Sequence, residues 1–265
     1  GFKIWIAEKK QEGCKLIIGQ HGGSFGIAKY HQSEFHQLKV ADSFISWGWK
    51  SREFQNTFPV PSLQLSQRLP VKSSNDGYIL HVLNSMPRYF YSYQSLPNAA
   101  HFLNYLEDQL KFFDHFEDSQ RNILKIRLNY SGGKRGWDIH EILCQEGYSS
   151  NIDYANHNLE KILQESRLCV STTNTTVFLE TLSLNFPSII FWDSKYSEIR
   201  DDSKIYVQLL LDAEILFYCP KEAAKKVNSI SENIDAWWFS EKVQSARTKF
   251  CDRYALTSKN WTAEW

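Results

Sequence analysis

The chain has 265 residues, 42 % hydrophobic and 23 % charged, which supplies core for one large domain or one and a half ordinary ones. Thirty Lys and Arg balance thirty Asp and Glu, and a net charge of zero argues against a nucleic-acid surface, which needs a basic excess to neutralise phosphates. No apolar run approaches the roughly 18 residues that span a bilayer, and the N-terminal residues lack the pattern of a secretory signal. Five cysteines (Cys14, Cys144, Cys169, Cys219 and Cys251) are scattered and form no CxxC pair. Neither a zinc site nor a disulfide framework is expected, and the cytoplasm is the simplest compartment.

In chain order, residues 1–50 read helix, strand, glycine-rich turn, helix, strand. A short apolar run at 14–19 is broken by Gln20-His21-Gly22-Gly23; residues 24–38 read as a helix and 42–47 as a second strand. Pro59, Pro61 and Pro70, followed by Ser73-Ser74, mark 59–75 as a linker, because proline blocks regular structure and polar residues bury little. From Tyr78 the pattern alternates. Strands are expected at 78–83, 123–128, 168–171, 187–192 and 214–218, with a weak one at 151–153. Helices are expected at 99–116, 138–144, 159–165, 175–184, 221–229 and 234–254, the first with Ala99, Leu103, Leu106, Leu110 and Phe113 at spacings of three and four.

Strands separated by helices in this way form a parallel sheet covered on both faces, and right-handed crossovers make 3-2-1-4-5-6 the leading strand order. The expected fold class is therefore α/β, a Rossmann-like doubly wound parallel sheet preceded by a partial N-terminal α/β segment. The expected organisation is an N-terminal portion at 1–58, a linker at 59–75 and a nucleotide-binding domain at 76–265.

In such a sheet ligands bind at the carboxyl ends where the strand order reverses, here the loops at 84–89 and 172–176. The second loop, Thr172-Thr173-Asn174-Thr175-Thr176, places four hydroxyls and an amide at a helix N-terminus, a cradle for phosphate; one such residue would suffice for a helix cap. Glu180, four residues on, shares that face and suits the two hydroxyls of a ribose. Arg88, Arg127 and the cations of the loop at 129–135 could neutralise a diphosphate. His21, flanked by glycines after a strand, suits proton transfer near neutral pH, with Glu34 and His36 further along. No HExxH or comparable spacing points to a metal. A nucleotide-sugar is expected as substrate rather than as cofactor.

Gln20-His21-Gly22-Gly23-Ser24-Phe25-Gly26, Ala41-Asp42, Trp47-Gly48-Trp49, Pro87-Arg88-Tyr89, Ile126-Arg127-Leu128, the run from Thr175 to Leu182 and Trp237-Trp238 together resemble transferases of bacterial surface-carbohydrate biosynthesis. These are distantly similar to Kdo transferases and CDP-glycerol glycerophosphotransferases. The resemblance runs through nearly the whole chain. It implies a GT-B fold, in which two Rossmann-like domains face a cleft and no metal is needed. It further implies a C-terminal domain holding the nucleotide donor, with its ribose on Glu180, and a cleft-side catalytic role for His21-Gly22. Such enzymes are about twice this length, so much of the acceptor-side domain is expected to lie outside this chain. A glycan or glycolipid acceptor and peripheral association with the inner membrane are the matching partners. A nucleotide-sugar epimerase, or a non-catalytic nucleotide- or glycan-binding module, remains the alternative.

Overall fold

A computed structural model of the chain describes residues 1–86, 88–89, 93–128, 137–154 and 158–265. The order is α1 (Phe2–Gln11), β1 (Ile17–Gly19), α2 (Gln32–Val40), β2 (Ser43–Ser46), β3 (Thr57–Pro59), α3 (Leu63–Ser66) and β4 (Tyr78–Val82). Then come α4 (Phe102–Asp114), α5 (Asp118–Asn122), β5 (Leu124–Arg127), α6 (Ile139–Gln145), α7 (Leu159–Gln164), β6 (Ser166–Ser171), α8 (Thr176–Ser183) and β7 (Ser188–Phe191). The chain ends with α9 (Lys204–Asp212), β8 (Leu216–Phe217), α10 (Pro220–Ile230), α11 (Ile234–Trp238), α12 (Glu241–Tyr254) and α13 (Trp261–Glu264).

The strands form two all-parallel sheets, β1-β2-β3 and β5-β4-β6-β7-β8. The larger sheet is the expected doubly wound arrangement. Its weak strand at 151–153 shrinks to one parallel bridge between Ile126 and Ile152, on the far side of β5 from β4. With that bridge counted, the order is 3-2-1-4-5-6. Every residue of β7 is buried, as are five of the six in β6, because helices cover both faces of a parallel sheet.

One face packs Phe102, Leu106 and Phe113 of α4 and Val227 of α10 against Ile79, Val170 and Ile189. On the other face a single cluster joins Phe178 of α8, Leu210 of α9 and Phe250 of α12 to Phe25, Phe44, Trp47 and Trp49 of the first fifty residues. The C-terminal segment ties the two parts further. Leu256 N–H donates to Trp47 O at 3.1 Å, Ser62 N–H to Leu256 O at 2.8 Å, and Trp265 Nε1 to Pro61 O at 2.9 Å.

Several expectations need correction. Residues 24–31 are not helical; Ser24 and Gly26 have φ of +64° and +72°, which an α-helix forbids, and α2 starts only where His31 Nδ1 caps Glu34 N–H. The proline-marked stretch holds a strand end and a helix, since β3 pairs with β2 through Pro59 at an edge that needs no donor from proline. The helix expected at 234–254 breaks after Trp238, where Ser240 begins α12. Helix α9 was not foreseen.

Asp108 on α4 has a measurable consequence. Burial, reinforced by Asp193 and Glu107 and opposed by Lys111, pushes its carboxyl up to about 6. A raised carboxyl stabilises the fold fully below its unfolded value and loses that contribution as pH climbs through about 6. Asp108→Asn should therefore raise stability at pH 7.5 by on the order of 1–2 kcal/mol, less than the full shift implies because the half-buried carboxyl is partly screened by water. It should also flatten the pH dependence of urea melts between pH 4 and 7. An unchanged profile would remove Asp108 as its source.

Candidate active site

β4 and β6 are neighbours, yet the chain leaves them in opposite directions, so their carboxyl ends open the expected crevice. A relay of hydroxyls ties those ends. Asn84 N–H donates to Tyr105 OH at 2.9 Å, Tyr105 OH lies 2.7 Å from Thr172 Oγ1, and Thr172 Oγ1 donates to Val82 O at 3.0 Å. Burial pushes the Tyr105 phenol up to about 12, so it keeps its proton. The Thr172 hydroxyl thus has protein partners on both sides.

The rest of the turn divides similarly. Thr173 and Thr175 hydroxyls meet at 3.0 Å, and Thr175 N–H returns to Thr173 O at 2.8 Å. Thr176 Oγ1 accepts Gly23 N–H at 2.9 Å. Asn174 differs: it is fully buried, and among the described residues neither atom of its amide has a partner. An unpaired buried amide costs about 1–3 kcal/mol unless a water or ligand satisfies it.

The Gly23–Thr176 contact brings the loop after β1 against the N-terminus of α8. Gln20 shapes that loop, its Oε1 accepting from Trp47 N–H at 3.0 Å and Trp49 Nε1 at 2.7 Å while its Nε2 donates to Gly22 O at 2.8 Å. His21 stands exposed beside the contact, its Nε2 3.2 Å from Gln37 Nε2 and its ring edge-on to Phe25. Glu34 is fully buried. One oxygen accepts Gly26 N–H at 3.0 Å and the other meets Arg200 Nη2 at 2.5 Å, so the carboxylate braces the loop from inside. Burial pushes its pKa up, while Arg200 and the Gly26 N–H pull it down. His36 is exposed on α2.

Glu180 Oε1 accepts from Arg68 Nη2 at 2.5 Å and Gln64 Nε2 at 3.3 Å. Burial raises its carboxyl; Arg68 and then Arg127 oppose that shift. Arg127, the last residue of β5, keeps Nη1 buried without a partner among the described residues. Arg88 is exposed, its guanidinium 5.2 Å from the Trp137 ring. The cationic loop expected at 129–135 lies outside the described residues, as does Pro87 of the loop at 84–89. Arg68, placed in the supposed linker, had no sequence signal. Its partner is 112 residues away. Among the described residues no three His, Cys, Asp or Glu side chains gather as a metal site, and no helix is long and apolar enough to cross a membrane.

The carboxyl-end loops also border an open, cleft-like cavity of about 600 Å³. It lies where residues 29–32 and 51–54 of the small sheet meet Tyr93 and residues 200–202 of the large one.

A family model described as LIC12162 family transferase matches residues 1–265. The chain belongs to this family of transferases. No curated protein matches it. In this LIC12162 family transferase, loops at the carboxyl ends of both sheets meet at the Gly23–Thr176 contact.

Proposed function

We propose that this transferase is a glycosyltransferase of GT-B type, moving a sugar from a nucleotide-activated donor to a glycan or glycolipid acceptor. One observation carries the reading. The Gly23–Thr176 contact makes the carboxyl ends of two parallel sheets converge, and each such end is a place where helix N-termini and loops receive ligands. The ordered motifs similar to Kdo transferases and CDP-glycerol glycerophosphotransferases support it.

In this reading the donor phosphates lie toward Arg127 and Asn174, which keep side-chain atoms without a partner among the described residues, and Arg88 approaches from the loop after β4. Thr172 and Thr176 fix the cradle through their own protein bonds, while Thr173 and Thr175 line it. Glu180, held by Arg68, keeps its second oxygen for the ribose. An acceptor hydroxyl attacks the anomeric carbon and the bond to the donor phosphate breaks. The electron pair leaves on the nucleoside phosphate, and the hydroxyl proton passes to His21. Charge stabilisation on the leaving phosphate is the main rate effect and placement of the two substrates the second. Glu34 positions the His21 loop and touches neither substrate.

The test is thermal denaturation with CMP, CDP, UDP and GDP. One nucleotide at about 100 times its Kd should stabilise the chain by about 2.7 kcal/mol. Asn174→Ala removes no hydrogen bond formed among the described residues, so it should leave the melting temperature without nucleotide unchanged or higher and weaken that nucleotide about tenfold or more. Stabilisation by none of the four sinks the donor site, and turnover of a nucleotide-sugar without acceptor would replace the transferase reading by an epimerase.

A further inference from the structure

The cavity of about 600 Å³ is separate from the Thr172–Thr176 turn and falls in the range of pockets that hold small ligands. Four rings border it: Tyr30, Phe35, Phe54 and Tyr93. Tyr30 and Tyr93 are 55 % and 83 % exposed, so their faces are available, while Phe35 and Phe54 pack edge to face at 5.8 Å. The charged part of the lining is balanced, Lys29, Arg52 and Arg200 against Glu53, Asp201 and Asp202. Much of that charge is already paired. Lys29 meets Glu198 at 3.0 Å, Arg200 meets buried Glu34, and Asp201 meets Lys204 at 2.7 Å. His31 adds no charge, since burial pulls its imidazole down to about 4.

This chemistry selects a ligand class. Exposed aromatic faces accept the C–H face of a pyranose, and planar Arg and carboxylate groups with no net charge offer donors and acceptors to its hydroxyls. A phosphate or a uronic acid would need a cationic excess, which the balance withholds. An extended peptide would need free backbone groups. Here Gln32 N–H already donates to Tyr93 O at 2.9 Å, and His31 bridges Gln94. We infer that this cavity binds an uncharged saccharide of one or two pyranose rings. That this is the acceptor side rests on the transferase reading above; the sugar binding itself does not.

The experiment is saturation-transfer NMR and calorimetry on the whole chain. The probes are neutral disaccharides of glucose, galactose, mannose and N-acetylglucosamine, a glucuronic-acid disaccharide, and the nucleotides used above. At least one neutral disaccharide should bind at millimolar concentration. Tyr30→Ala and Tyr93→Ala, at exposed side chains, should each leave the melting temperature unchanged and weaken it by about tenfold. Nucleotide affinity should not move in either variant. Absence of binding by every neutral probe at about 20 mM overturns the inference, since that concentration corresponds to less than about 3 kcal/mol of affinity. Tighter binding of the acidic sugar, unchanged affinity in both variants, or loss of nucleotide binding in Tyr30→Ala also overturns it, the last by making the cavity a base pocket. Neutral-sugar binding without nucleotide binding in the unmodified chain would uphold this site and sink the donor site alone.

Discussion

Gly23→Ala should be the most damaging single methyl group that can be added to the chain's candidate site. A Cβ at residue 23 would lie 2.1 Å from Thr175 O, 2.2 Å from its carbonyl carbon and 2.6 Å from Thr176 N, all backbone atoms at the start of α8. No rotamer change relieves such a clash, so the loop after β1 must lift away and lose the Gly23–Thr176 hydrogen bond. Overpacking of about 1–3 kcal/mol together with about 1 kcal/mol for the bond gives a loss near 3 kcal/mol. For a chain of this size that lowers the melting temperature by roughly 6–12 °C. Gly22→Ala is the control. Its added carbon would meet only Thr176 Oγ1, at 3.3 Å, and a few tenths of an ångström of movement accommodates it. Equal melting temperatures for the two variants would mean that the sheets do not meet at this contact. In the proposed enzyme Gly23→Ala should also abolish transfer, because His21 leaves with the loop.

Glu34→Ala should produce a comparable loss by a different route. It strips the acceptor from Gly26 N–H and from Arg200, whose side chain is 26 % exposed. Removing one partner of a buried pair costs about 3–5 kcal/mol; partial hydration of Arg200 should bring this nearer to about 2–4 kcal/mol. A double-mutant cycle with Arg200→Ala should show coupling of about 1–3 kcal/mol, and additive losses would show that the pair is not formed. The pH dependence has a definite sign. Burial raises the Glu34 carboxyl, so its contribution is present below the ordinary glutamate range and lost as pH rises through the raised value. Glu34→Gln should remove that trend while keeping an acceptor for Gly26.

Much of the larger sheet was legible because its signal is local. Leu168 to Ser171 and the segment before Trp192 are short apolar runs between helical stretches. Helix α4 is a helix as its spacing implied, but its buried stripe runs through Phe102, Tyr105, Leu106, Gln109 and Phe113. Of the expected stripe only Leu106 and Phe113 are buried, and Leu103 is 58 % exposed. The switch-point turn followed from counting strands. The small sheet was read less well. Its third strand, β3, hides in a segment whose prolines suggest a linker, and only pairing with β2 makes it a strand. The loop at 24–31 carries no local mark of its left-handed backbone at Ser24 and Gly26; Gly26 lies against the Trp49 ring, where a Cβ would come within 2.6 Å.

The sequence by itself determined that the chain is a parallel α/β protein and where the turn at the strand-order reversal would fall, because alternating periodicities specify which face of each element is buried. Only the tertiary structure decided what the site side chains touch. Glu34 reads as a helix-face carboxylate until Arg200 is brought to it across 166 residues, and Glu180 as a free ribose ligand until Arg68 arrives. The aromatic cavity likewise exists only where loops from both sheets meet. Such partners are set by how helices and sheets dock, and docking depends on side-chain volumes distributed over the whole core, which no local spacing records.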